Sequence, residues 1–137
     1  MEPISDIFVY GTLMQGFSNS EKYLSGFAIN RKPGQMKGDL FHLIYGFPAA
    51  TEGKGRVVGE IVRVKDINKI LWVLDWLEDC DQPDPMYQRV VREARDYDGN
   101  ITRCYVYLWH PRRSHELKNV GRIIEHGDWR QFIKEGQ

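Results

Sequence analysis

Cysteine is scarce. Cys80 and Cys104 are the two cysteines in 137 residues, too few for the disulfide framework of a small secreted domain. Neither pairs with a histidine at metal-ligand spacing. The histidines His42, His110, His115 and His126 are scattered. His110 and His115 share a loop-like stretch, where two surface histidines are a plainer reading than a ligand pair, and no metal is expected. An excess of one charge is also missing: 19 Lys and Arg balance 19 Asp and Glu. No global field then steers the chain to nucleic acid or to an anionic membrane, and neither is expected as a partner. The opening MEPISDIFVYG has no basic region followed by an apolar run, and no apolar stretch is long enough to span a bilayer. A cytoplasmic location is the expectation. No repeat, low-complexity segment or linker interrupts the chain, so residues 1–137 read as one domain.

What is present argues for a folded core. The chain is 42% hydrophobic and 12% aromatic, which sets it apart from disordered chains. Residues 6–10 have the β-branched and aromatic character of a strand. Ser18 and Glu21 stand at capping-box spacing before a short helix over about 19–25. Residues 38–46, bounded by glycines, and 56–64 read as strands, and FPAATEGKG (47–55) reads as a loop. The best helix covers 66–80, with Asp66 as N-cap and Asp81, Pro83 and Pro85 as its stop. Residues 86–94 and 101–109 are strands joined through Asp98-Gly99, a strong hairpin signal. Helical patches follow near 115–126 and 127–134. Mostly sequential strands and one strong helix predict an α+β domain, a small mixed sheet curled toward a barrel.

One carboxylate is out of place. On a wheel of about 100° per residue, with Ile67 at zero, Leu71 falls at about 40° and Leu74 at about 340°. Glu78 falls at about 20°, between them, inside the apolar stripe. Asp75 and Asp79 project toward the polar side. A carboxylate aimed at a core must be paired, hydrogen-bonded or neutral. The helix macrodipole also disfavours negative charge in a last turn. Both effects raise a carboxyl pKa, which suits a general acid or base. The alternative is that the helix frays before residue 78 and leaves Glu78 solvated or paired with an arginine.

The strand ending in FVYGTLM (8–14) poses a second question. Glycine lets a turn adopt positive φ and lets a ligand approach the main chain. Successive N–H groups in such a turn form an anion or oxyanion nest, and Thr12 adds a hydroxyl. An ordinary strand-to-loop turn explains the stretch equally well when it is taken alone.

Taken together, VYGTL (9–13), GFPA (46–49), VVGEIV (57–62), LDWLE (74–78), YQR (87–89) and YVY (105–107) follow one another here in an order and spacing that resembles the gamma-glutamylcyclotransferase family. The likeness is strongest to its short branch, which includes the gamma-glutamylamine cyclotransferases. It runs over about residues 6–109, and GDW (127–129) extends it. The resemblance implies a small mixed β-barrel with flanking helices and a cavity at one side. It implies release of 5-oxoproline from a small-molecule γ-glutamyl substrate by intramolecular cyclisation, with no cofactor. By the same resemblance Tyr10, Gly11, Thr12 and Leu13 form the loop that holds substrate, and Glu78 is the catalytic acid/base.

Tyr87 and Tyr105 either lend hydroxyls to that pocket or fill the barrel. Arg89 either recognises a carboxylate, braces Glu78 or is solvated. Pro48 shapes a loop. The chain departs from the family in one place: the residue after the acid is often glycine there, and here it is Asp79. That acid either raises the Glu78 pKa by like-charge repulsion or sits outside the pocket. The rival reading is a barrel that kept the fold and only binds a small molecule or nucleic acid, through exposed aromatics and PRRSH (111–115).

Overall fold

The computed structural model describes residues 3–80 and 82–136. Asp81, expected to help stop the long helix, lies outside the described residues. The first strand, β1 (Asp6–Val9), is buried at all four positions. A strand covered on both faces has no reason to alternate polar and apolar residues.

β2 (Ala28–Leu43) and β3 (Pro48–Val64) form one long antiparallel hairpin. This corrects two expectations: β2 starts well before residue 38, and the stretch read as a loop over 47–55 is the first half of β3. Its glycines and proline disguised it. Pro48 opens the strand, where the missing N–H does little harm to the ladder. A β-carbon at Gly53 would collide with the Asp39 carboxylate across the hairpin, so a larger residue there would have to displace that side chain. The connecting turn places Gly46 at φ +96°. The Leu43 amide donates to Phe47 O at 2.9 Å.

The remaining strands are β4 (Tyr87–Asp96), β5 (Ile101–Trp109) and β6 (Gly121–Ile123). The sheet runs β3-β1-β5-β4-β2-β6, and the additional β3–β2 pairing closes five strands into a barrel. β1 lies antiparallel to β3 and parallel to β5, which makes the barrel mixed as expected. The β4–β5 hairpin turns at Asp98-Gly99 as anticipated. Asp96 Oδ1 accepts from the Asp98 and Asn100 amides, each at 3.0 Å. Gly99 takes φ +89°.

Helix α1 (Ile67–Leu77) buries Ile70, Leu71 and Leu74 and is shorter than the 66–80 expected. Asp66 occupies its N-cap position but in left-handed backbone, φ 51°, and its side chain makes no capping bond. The C-terminal end is a built stop. The Asp79 amide donates to Trp76 O at 3.2 Å and the Cys80 amide to Asp75 O at 2.9 Å. Asp79 itself has φ +64°. This is the Schellman pattern, in which the left-handed residue after the cap is usually glycine.

Residues Ser20–Leu24 form a π-helical turn rather than a capped α-helix. The Glu21 amide donates to Phe17 O at 3.4 Å, and no Ser18–Glu21 capping box forms among the described residues. The patch expected near 115–126 is helical only in its first half. A 3₁₀ turn (Pro111–Glu116) leads into α2 (Leu117–Val120). Gly121 then ends the helix, and Ile123 pairs with Phe41 on β2. The last helix, α3 (Trp129–Lys134), starts at Asp128, whose Oδ1 accepts from the Gln131 amide at 3.1 Å. No described helix is long and apolar enough to cross a membrane.

Candidate active site

At one side of the barrel, the end of β1, the start of β3, the end of α1 and the adjoining ends of β4 and β5 enclose a cavity of about 280 Å³. Gly11 to Leu13 form its floor as a tight turn, in which the Met14 amide donates to Gly11 O at 3.0 Å. Glycine is required at position 11 by proximity: a β-carbon there would lie 2.8 Å from Pro48 Cγ. Asn19, which also lines the cavity, donates from Nδ2 to Thr12 Oγ1 at 2.8 Å and pins the turn. Among the described residues the amides of Gly11, Thr12 and Leu13 have no hydrogen-bond acceptor.

Two tyrosines brace the walls. The Tyr10 hydroxyl donates to Tyr107 O at 2.6 Å and accepts from the Ala50 amide at 3.2 Å. The Tyr87 hydroxyl donates to Pro48 O at 2.7 Å. Burial pushes both phenols well above their ordinary value, and the charge of Glu78 pushes them further. They stay protonated at any physiological pH.

Glu78 stands one residue beyond α1, as its C-cap, and continues the helix far enough to face the cavity. Its amide still donates to Leu74 O at 2.8 Å. The helix therefore does end before residue 78, but the carboxyl is not left in solvent. Burial raises its pKa from 4.5 to about 7. Among the described residues its carboxylate makes no ion pair or side-chain hydrogen bond. Desolvation is the cause of the shift, not repulsion by Asp79. Asp79 also lines the cavity, so it does not sit outside the pocket.

The structure thus brings Tyr10, Gly11, Thr12, Leu13, Glu78 and Tyr87 to one cavity. It does not bring Tyr105 there. That ring instead lies 5.4 Å from the Arg89 guanidinium carbon. Tyr107 takes the place on the cavity wall. It lies two residues farther along β5, hence on the same face as Tyr105 but nearer the cavity end of the strand. The YVY repeat held the signal for either tyrosine.

Arg89 does not reach Glu78. It pairs with Asp75 at 3.1 Å, and Asp75 Oδ1 also accepts from the Tyr107 hydroxyl at 2.7 Å. Asp75 is accordingly no surface acid, contrary to the wheel; it ties α1 to β4 and β5. Phe47 and Met86, read only as parts of a loop and a strand, complete the apolar wall.

The fold and the cavity define a class: closed mixed barrels with a side cavity lined by one desolvated carboxyl and by a turn whose main-chain amides are unbonded. A family profile described as gamma-glutamyl cyclotransferase, AIG2-like, matches residues 7–131, and the chain belongs to that family. Among solved structures it is similar to an AIG2-like protein from Mus musculus, with 27% identity, a TM-score of 0.71, and coverage of 93% of this chain and 88% of that one. It shares its fold with an uncharacterised protein from Pyrococcus horikoshii at 23% identity, a TM-score of 0.64, and coverage of 98% and 96%. It also shares it with a structure titled gamma-glutamyl cyclotransferase at 17% identity, a TM-score of 0.61, and coverage of 77% and 66%. A search of curated protein sequences finds no significant match.

Proposed function

We propose that the protein releases 5-oxoproline from a γ-glutamyl amide, with Glu78 as general acid/base. The observation that carries this reading is the Glu78 carboxyl. It shares a small cavity with the unbonded amides of residues 11–13, and burial brings its pKa to about 7.

The substrate carries its own nucleophile. Its α-amine folds back onto the γ-carbonyl carbon, and a five-membered lactam forms. Ring closure is intramolecular, so holding the reactive conformer removes much of the barrier. The α-amine arrives as an ammonium and must lose a proton. The Glu78 carboxylate accepts it, the nitrogen attacks, and the carbonyl oxygen takes up negative charge. Glu78 then returns the proton to the departing nitrogen as the amide C–N bond breaks, takes the second proton from the ring nitrogen, and passes it to the released amine, which leaves as an ammonium. The amides of Gly11, Thr12 and Leu13 hold the substrate carboxylate or the developing oxyanion. Tyr10, Tyr87 and Tyr107, protonated and tied to the frame, keep the walls in place. Tyr105 then acts at a distance from substrate, stacked on Arg89, and not as a binding group.

The test is 5-oxoproline release from γ-glutamyl dipeptides, γ-glutamylamines and γ-glutamyl-ε-lysine by wild type and Glu78→Gln. Release that Glu78→Gln loses supports the reading. Full activity in Glu78→Gln rejects it.

A further inference from the structure

The residue after Glu78 is a non-glycine in left-handed backbone. Among the described residues only Asp66 and Asp79 combine a side chain with positive φ. At a helix stop of this kind glycine is the least strained choice. Retaining a side chain at such a place points to a use for it.

The lining of the cavity says what that use is. Among the described residues its charged members are Glu78 and Asp79, and no lysine, arginine or histidine lines it. Arg89, which reaches α1, is taken by Asp75. Arg113, behind the Asp84–Met86 stretch, is taken by Asp84 and Glu116. Asp79 is half-buried as a residue, and among the described residues its carboxylate has no hydrogen-bond or ion-pair partner.

Now place the departing amine. If Glu78 returns a proton to that nitrogen, the next residue lies beside whatever the nitrogen carries. An α-amino acid leaving group would bring a carboxylate one carbon from the scissile nitrogen, next to two acids and no cation. A leaving group with a second ammonium a few carbons away would meet Asp79 instead. We infer that Asp79 selects γ-glutamyl amides whose departing amine carries a distal cation, as a γ-glutamylated diamine does, over those that carry a carboxylate. The inference rests on the cyclotransferase reading for the reaction and on the cavity's charge for the selection. Asp79 is a specificity residue in this scheme; the proton transfers remain with Glu78.

The test has a catalytic arm and a binding arm. The first compares kcat/KM for the γ-glutamyl amides of 1,5-diaminopentane, pentylamine and alanine in wild type, Asp79→Asn and Asp79→Gly. Wild type should prefer the diamine amide to the pentylamine amide by about tenfold, as one half-buried ion pair allows. Both variants should lose most of that ratio. The second follows binding of the free amines to the same proteins by NMR titration, which needs no turnover. Diamine binding that exceeds pentylamine binding in wild type, and falls to its level in Asp79→Asn, upholds the selection even where no amide is cyclised; that last result overturns only the reaction. Equal binding of the two amines to wild type, or a preference that survives in both variants, overturns the role of Asp79. Retained thermal unfolding of Asp79→Gly excludes misfolding as the cause of a lost ratio.

Discussion

The Tyr10 hydroxyl donates to the main-chain oxygen of Tyr107, 97 residues away in sequence, at 2.6 Å. The same oxygen atom of Tyr10 accepts from the Ala50 amide. One phenol thus joins the end of β1 to β5 and to β3, at the rim of the cavity. Tyr10→Phe keeps the ring but leaves the Ala50 amide and the Tyr107 carbonyl without that partner. The expected loss is about 1–3 kcal/mol, read as a lower denaturant midpoint with an unchanged m-value.

Glu78→Gln should stabilise the fold at alkaline pH and not at acid pH. The folded protein holds the Glu78 carboxyl at about 7 against an ordinary value of 4.5. Below pH 4.5 the group is neutral in both folded and unfolded chains and carries no penalty. As pH rises toward 7 the unfolded chain ionises first, and stability falls. Above about pH 7 the loss is complete, about 3 kcal/mol. Glutamine has no such loss. Thermal unfolding of the two proteins at pH 4.5 and pH 8 should give similar Tm values at the first and a higher Tm for Glu78→Gln at the second.

The same shift sets the rate profile. In the proposed reaction the free enzyme must present Glu78 as carboxylate, so kcat/KM should rise with pH through about 7. The alkaline limb belongs to the substrate's α-ammonium and should move when the substrate changes. Initial rates of 5-oxoproline release between pH 5 and 9.5 check both limbs. An acid limb near the ordinary carboxyl value of 4.5 would show that burial does not hold the titrating carboxyl near 7, and an acid limb unchanged in Glu78→Asp would show that Glu78 is not the group that titrates.

Gly11→Ala tests the close approach under the cavity floor. The added β-carbon would sit 2.8 Å from Pro48 Cγ and 3.0 Å from Cδ. The ring cannot swing aside as a flexible chain would, so a cost of about 1–3 kcal/mol is expected. Adding Pro48→Ala removes both ring atoms and should recover part of it. A double-mutant cycle by urea unfolding measures that coupling; strictly additive effects would place the strain elsewhere.

The sequence made the centre of the molecule legible and left its margins obscure. The stripe of Ile70, Leu71 and Leu74 marked α1, and Asp98-Gly99 marked the β4–β5 turn, because each signal is local. Glu78 stood out because it broke the same stripe. The first half of β3 was hidden because Gly53 and Gly55 look like loop residues until Asp39 is seen across from them. Asp75 was misread because a wheel shows which way a residue points, not that Tyr107 and Arg89 wait on that side. Tyr105 and Tyr107 share a face of β5, and which of the two reaches the cavity is set by how the barrel closes around it. The positive φ of Asp79 follows from how the chain leaves α1, which spacing cannot show.

The parallel pairing of β1 with β5 has a consequence for the order in which the molecule is made. β1 emerges first during synthesis, but its partners β3 and β5 lie about 50 and 100 residues downstream. Until the β5 segment is out, this strand, whose Ile7, Phe8 and Val9 are all destined for the core, has one neighbour at most and an open edge of amides and carbonyls. Folding dominated by such distant pairings is slow. Barrel closure is therefore a late event, and a nascent chain halted before residue 101 should bind hydrophobic dyes and chaperones while the finished one does not.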